Sequence, residues 1–186
     1  MKKKIIAIAL ILILCTAGAF AIGVGFQIDA VGYTAFGGNA GITIKLDKPD
    51  IVFLIMFGGY LGHFNLTLAV DYWFLNDKIA NIGARDSVNW YIGIGGYGAM
   101  GVYRYYYYNS GYTTTKKAYL GGAVGVRLPV GINFFVPRNI LIEPYFQLAP
   151  YVGLGIYPNA WSEYTDKRVF VDWGVPLSFG CRFWFK

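Results

Sequence analysis

Seven charged side chains fall on the small, polar side of alternating apolar runs: Asp29, Lys45, Asp71, Arg127, Glu143, Asp172 and Arg182. Three are positive and four negative. Charges taken out of water together must pair, because an unpaired one costs several kcal/mol. Near balance predicts an internal salt-bridge network, helped by Gln27, Thr43, Asn133 and Gln147. Opposed across a wet passage, the same charges would form an ion-conducting constriction instead. Other chemistry is sparse. His63 is the single histidine, and Ser110, Ser162 and Asp166 could join it in a hydrolytic set, but no motif fixes their geometry. The glycine-rich run 93–101 lacks the Gly-Lys-Ser/Thr ending and following helix of a phosphate loop. One His and two Cys make no metal-ligand cluster. No catalytic residue, cofactor or metal is expected, and no enzymatic activity.

The elements that must position these charges read as strands. Residues 169–185 put Val169, Val171, Trp173, Val175, Leu177, Phe179, Cys181, Phe183 and Phe185 on one face. The other face carries Asp172, Gly174, Pro176, Ser178, Gly180 and Arg182. A period of two with unlike faces is a β-strand. The pattern repeats along the chain. Strands are predicted over 22–31, 41–46, 51–57, 64–74, 88–103, 118–135, 140–157 and 169–185. Segment 51–57 is apolar on both sides, so its facing is open. The connections at 47–50, 76–87 and 136–139 read as turns, and those near 32–40, 58–63, 104–117 and 158–168 as loops. The last strand should pair with the first and leave no sheet edge.

Composition agrees. Apolar residues make up 56%, aromatics 19% and charged residues only 14%, against about a quarter charged in a soluble domain. No run after the leader reaches the roughly 18 apolar residues of a membrane helix. The leader itself has Lys2, Lys3 and Lys4, an apolar stretch 5–14 and an Ala19-Phe20-Ala21 cleavage signal. Residues 1–21 are thus expected to be a Sec signal peptide and 22–186 the barrel domain. Lipidation at Cys15 would need a small residue before it, and Leu14 is bulky. Three of the 16 basic residues leave with the leader, so 13 face 10 acidic ones, a net of +3 with no cluster for nucleic acid.

A greasy outside and a charged inside is the pattern of an eight-stranded antiparallel up-and-down transmembrane β-barrel, all-β. An even count places both termini at one end, expected to be periplasmic. Tyr60, Tyr103, Tyr105, Tyr107, Tyr157 and Trp161 would form an outer aromatic girdle; Trp73, Phe74, Trp90, Phe134, Phe183 and Phe185 an inner one. The outward loops are tyrosine-rich, and Tyr105, Tyr107, Tyr112, Trp161 and Tyr164 are the candidate contact surface.

The hairpin pattern looks like the small OmpA/OmpX-type barrels. The segments GVRLPVGI (125–132), IEPYFQLAPYVGLG (142–155) and LSFGCRFWF (177–185) resemble small outer-membrane barrel proteins of spirochaetes. The resemblance implies residence in outer-membrane lipid, assembly by the barrel machinery through the C-terminal strand, and surface loops in contact with a host protein. It brings no catalytic residues. Lys186 departs from the terminal aromatic that such strands end on. The rival readings are a narrow channel for ions or small apolar solutes, and a soluble lipocalin-like barrel with its apolar face inward.

Overall fold

Along β3 (Ile51–Tyr60), Val52, Leu54 and Met56 are buried while Phe53, Ile55 and Phe57 are exposed. The two faces of that strand, chemically alike, are thereby told apart. The same alternation recurs in most strands of the computed structural model, which describes residues 21–31, 40–60, 63–83, 86–108, 114–137, 140–156 and 169–185. Its other elements are β1 (Ile22–Val31), β2 (Ala40–Leu46), β4 (His63–Asn81), β5 (Ser87–Tyr108), β6 (Thr114–Arg127), β7 (Val130–Pro137), β8 (Leu141–Leu148), β9 (Tyr151–Ile156), β10 (Val169–Gly174) and β11 (Leu177–Phe185).

These make eight staves. β6 with β7, β8 with β9 and β10 with β11 are single staves interrupted at Leu128-Pro129, Ala149-Pro150 and Val175-Pro176. Every neighbouring pair is antiparallel. β1 pairs with β11 from Ile22↔Phe185 to Asp29↔Ser178, which closes the sheet into a barrel. The three interruptions lie side by side. Proline has no N–H to give to a ladder, yet each of these carbonyls still accepts a bond. Gly93 donates to Pro129 at 2.8 Å, Leu128 to Pro150 at 2.9 Å and Ala149 to Pro176 at 3.1 Å. The breaks are therefore sewn by single bonds, and facing does not slip across them.

Several expected boundaries move. The polar segment 76–87 is not a long connection: β4 runs to Asn81 and β5 starts at Ser87. β4 leaves β3 after Tyr72↔Ile51 and one further bond, Trp73 N–H to the Asp50 carbonyl at 2.9 Å. It then continues beside β5 alone, with register shifts at Trp73/Leu75 and Lys78/Ala80. Residues 77–83 are exposed on both faces, so alternation vanishes there although the strand continues. At the other end β5 reaches Tyr108 and β6 begins at Thr114, so Tyr105 and Tyr107 belong to strand, opposite Lys117 and Thr115, rather than to a loop over 104–117. β3 reaches Tyr60 and β4 starts at His63, which shortens the loop expected at 58–63. Tyr112, Trp161, Tyr164, Ser110, Ser162, Asp166 and Lys186 lie outside the described residues, as does the leader up to residue 20.

The lumen is filled by side chains lying over glycines of neighbouring staves. A Cβ on Gly180 would meet the Tyr145 ring, one on Gly131 the Tyr91 ring, and one on Gly23 the Trp184 ring. An eight-stave barrel has an interior just wide enough for such filling. Gly98 faces the other way and has nothing within 4 Å of an added Cβ. Gly180→Val should therefore abolish the folded, heat-modifiable band on cold SDS gels, whereas Gly98→Val should keep it.

Candidate functional site

The inward rows of β2, β7 and β11 meet at a carboxylate of β8. Glu143 of β8 is fully buried. Its Oε1 accepts from Asn133 Nδ2 at 2.6 Å and Arg182 Nη1 at 3.3 Å, and lies 3.5 Å from Lys45 Nζ. Its Oε2 accepts from Trp184 Nε1 at 2.8 Å. Three staves supply these donors because alternation puts Lys45, Asn133, Arg182 and Trp184 on the lumen side of their strands. Arg182, also fully buried, donates through Nε to Thr43 Oγ1 at 3.0 Å. Its guanidinium lies 3.9 Å from the centre of the Tyr145 ring. Lys45 Nζ sits 4.1 Å from the Trp73 ring centre and 3.4 Å from Asp50 Oδ1. Asp50 in turn accepts from Asn76 Nδ2 at 3.3 Å. Two buried cations thus have both carboxylate and aromatic partners, the conditions under which buried ions are tolerated.

The other four charges do not join this cluster. Arg127 Nε lies 3.1 Å from Asp71 Oδ1, an ion pair without the angles of a hydrogen bond. We read it as a close charge pair, since Coulomb attraction tolerates angles that a hydrogen bond does not. Asp172 accepts from the Tyr97 hydroxyl at 2.7 Å. Asp29 accepts from Gln27 Nε2 at 3.0 Å, and Gln27 Oε1 accepts from the Tyr145 hydroxyl at 2.9 Å. Tyr91 donates to Gln147 Oε1 at 3.1 Å. Asn133, Thr43, Gln27 and Gln147 all act as polar partners in the lumen.

Some members escape sequence reasoning. Asp50 sits at a turn, and its closeness to Lys45 follows only from how tightly 47–50 folds back. Trp73 is a correction: expected in the inner girdle, it is 2% exposed and stacks on Tyr91 at 3.6 Å inside the barrel. Its place on the Asp71 face of β4 is the signal that would have found it. With Val52, Leu54, Met56, Ala69 and Tyr91 it forms an apolar half of the lumen. His63 pairs by backbone with Tyr60, and its supposed hydrolytic companions lie outside the described residues. Among the described residues no group of His, Cys, Asp and Glu could hold a metal ion.

The chain belongs to the family described as "Protein of unknown function (DUF3996)", which matches residues 20–179. Among solved structures it is similar to a major outer membrane protein from Thermus thermophilus, at 15% identity and a TM-score of 0.51, over 90% of this chain and 100% of that one. At that identity the likeness is one of fold alone, a closed antiparallel barrel. The beta domain of the Bordetella autotransporter BrkA aligns over 90% of this chain and 98% of that one, at 12% identity and a TM-score of 0.20. No curated protein matches.

Removing Glu143's charge would leave Arg182 without a carboxylate. Glu143→Gln should lower the unfolding free energy by about 3–5 kcal/mol, read from urea titrations in detergent. Asp172→Asn, which keeps an acceptor for Tyr97, should cost far less.

Proposed function

For this member of the family we propose an integral outer-membrane barrel of the small OmpA/OmpX type. In this reading the lumen is sealed, and the protein acts structurally and through its outward loops. The observation that carries it is the contrast between the two faces. Phe26, Ile42, Ile55, Leu68, Ile94, Val124, Leu154 and Val171 are all exposed, and Trp173 is 69% exposed. A band of this kind around a closed sheet fits hydrocarbon and would be a liability in water. It argues against the lipocalin-like alternative, whose apolar side faces inward. No helix among the described residues is long and apolar enough to cross a membrane, which says nothing of a barrel.

Inside, Lys45, Tyr91, Glu143, Tyr145 and Arg182 are all at or below 1% exposure. Large side chains buried this completely across the lumen favour a plug over a pore. Residues 1–21 serve as the export signal in this reading, and β11 as the strand presented to the assembly machinery. The turns near 47–50, 82–86 and 138–140 face the periplasm, and the longer connections 32–39 and 157–168 face outward. A host surface protein would meet the tyrosine-rich tips around Tyr112, Trp161 and Tyr164; Tyr105 and Tyr107 lie on the strand below.

Two readouts on one preparation test this. In planar bilayers the refolded protein should give no discrete conductance steps. Steps whose ion selectivity moves on neutralising Glu143 or Arg127 would replace the plug by the channel reading. On intact cells protease should cut near Tyr112, and persistent resistance there would remove the loops from the surface.

A further inference from the structure

At the end of the barrel where β3 turns into β4, two strands outrun their neighbours. The ladder of β5 with β4 ends at Phe64↔Val102, and that of β6 with β9 at Gly122↔Ile156. Beyond those points β5 and β6 stay paired with each other, from Tyr103↔Tyr119 to Tyr108↔Thr114. Their six pairs, at about 3.4 Å each, make a ribbon roughly 17 Å long past the ladders of the wall.

The ribbon concentrates the positive charge of the chain. Residues 22–186 hold 13 basic and 10 acidic residues. Arg104, Lys116 and Lys117 are on the ribbon, and without them the rest balances, ten against ten. No Asp or Glu occurs between Asp86 and Glu143. Of the other connections at this end, 32–39 is uncharged and 157–168 has two residues of each sign. Charge complementarity therefore calls for an anionic partner.

The register narrows its chemistry. Paired residues share a face of a ribbon, and faces alternate along it. One face takes Arg104, Tyr106 and Lys116, and the other Tyr105, Tyr107 and Lys117. Each face thus joins cation to aromatic ring. Cations hold sulfate or carboxylate by charge-assisted hydrogen bonds. A phenol ring offers an apolar face to sugar C–H groups, and its hydroxyl serves sugar oxygens. An acidic peptide would use the cations and leave the rings idle. A single-stranded nucleic acb would stack on rings, but it is held along a continuous basic groove, and three cations divided between two faces make none.

We propose that this ribbon binds a sulfated polysaccharide, with Arg104, Lys116 and Lys117 taking its sulfates and the tyrosines its sugar rings. The outward orientation proposed above bears only on where the glycan is met. Contact with a host surface protein then extends to the glycan chain such a protein carries.

The whole folded chain in detergent is titrated, by calorimetry, with a size-defined heparin fragment and with the same fragment desulfated. Saturable binding that is lost on desulfation is expected. Lys116→Gln combined with Lys117→Gln should weaken it about tenfold or more, and Tyr106→Leu about threefold. Lys78→Gln, at an exposed lysine of the opposite end, should leave it unchanged. Each variant must keep heat-modifiable migration, and Arg104→Gln replaces the double variant if that does not fold. No saturable binding, binding that survives desulfation, or equal weakening by Lys78→Gln overturns the site. An oligonucleotide or poly-glutamate bound as tightly as the heparin fragment overturns the choice of glycan. Binding by the purified chain does not depend on which end faces outward or on conductance, so its failure is distinct from failure of the functional reading.

Discussion

The structure depends on one constraint: a sheet whose outer face is apolar can leave no backbone N–H or C=O unpaired along an edge. The chain meets it by closing β1 onto β11. In hydrocarbon no water would serve an open edge, so closure is a condition of existing there rather than a refinement. The three proline breaks show how far this goes. Where a proline cannot donate, its carbonyl still holds the neighbouring stave.

Closure at eight staves then dictates the interior. The ring is too narrow for a wide aqueous channel and too wide to be left empty, so side chains must cross it. Glycines on the lumen face make room for Tyr91, Tyr145 and Trp184. Polar groups that end up in that space are removed from water, and each needs a partner. Glu143 is where this demand is most concentrated, with a buried cation from β2 and another from β11 on one oxygen. Local strand chemistry, barrel closure and charge pairing are therefore successive consequences of one pattern.

Much of this was legible in the sequence, for a physical reason. A strand between an apolar outer face and a polar lumen must alternate, and alternation survives in the letters. Segment 51–57 was not legible because Val52, Leu54 and Met56 face an apolar half of the lumen, leaving both faces greasy. The strand end at 75–81 reads as a loop because alternation ceases where both faces become exposed, and 104–108 reads as one because tyrosines fall on both sides of its alternation. Trp73 was misplaced because an aromatic near a strand end suggests an interface, while its face of β4 said lumen. The inward charges could be named from their faces, but their partners could not. Which of them meet depends on stave register around the ring: Lys45 meets Glu143 across 98 residues of sequence, whereas Asp172 meets Tyr97.

The central claim is which face meets lipid, and tryptophan quenching by brominated acyl chains measures it directly. The chain has five tryptophans, and variants with the other four changed to phenylalanine isolate Trp173 and Trp184 in turn. The account predicts strong quenching of Trp173, which faces out, and little of Trp184, which is buried against Glu143. Equal quenching of the two, or quenching of Trp184 alone, would contradict it.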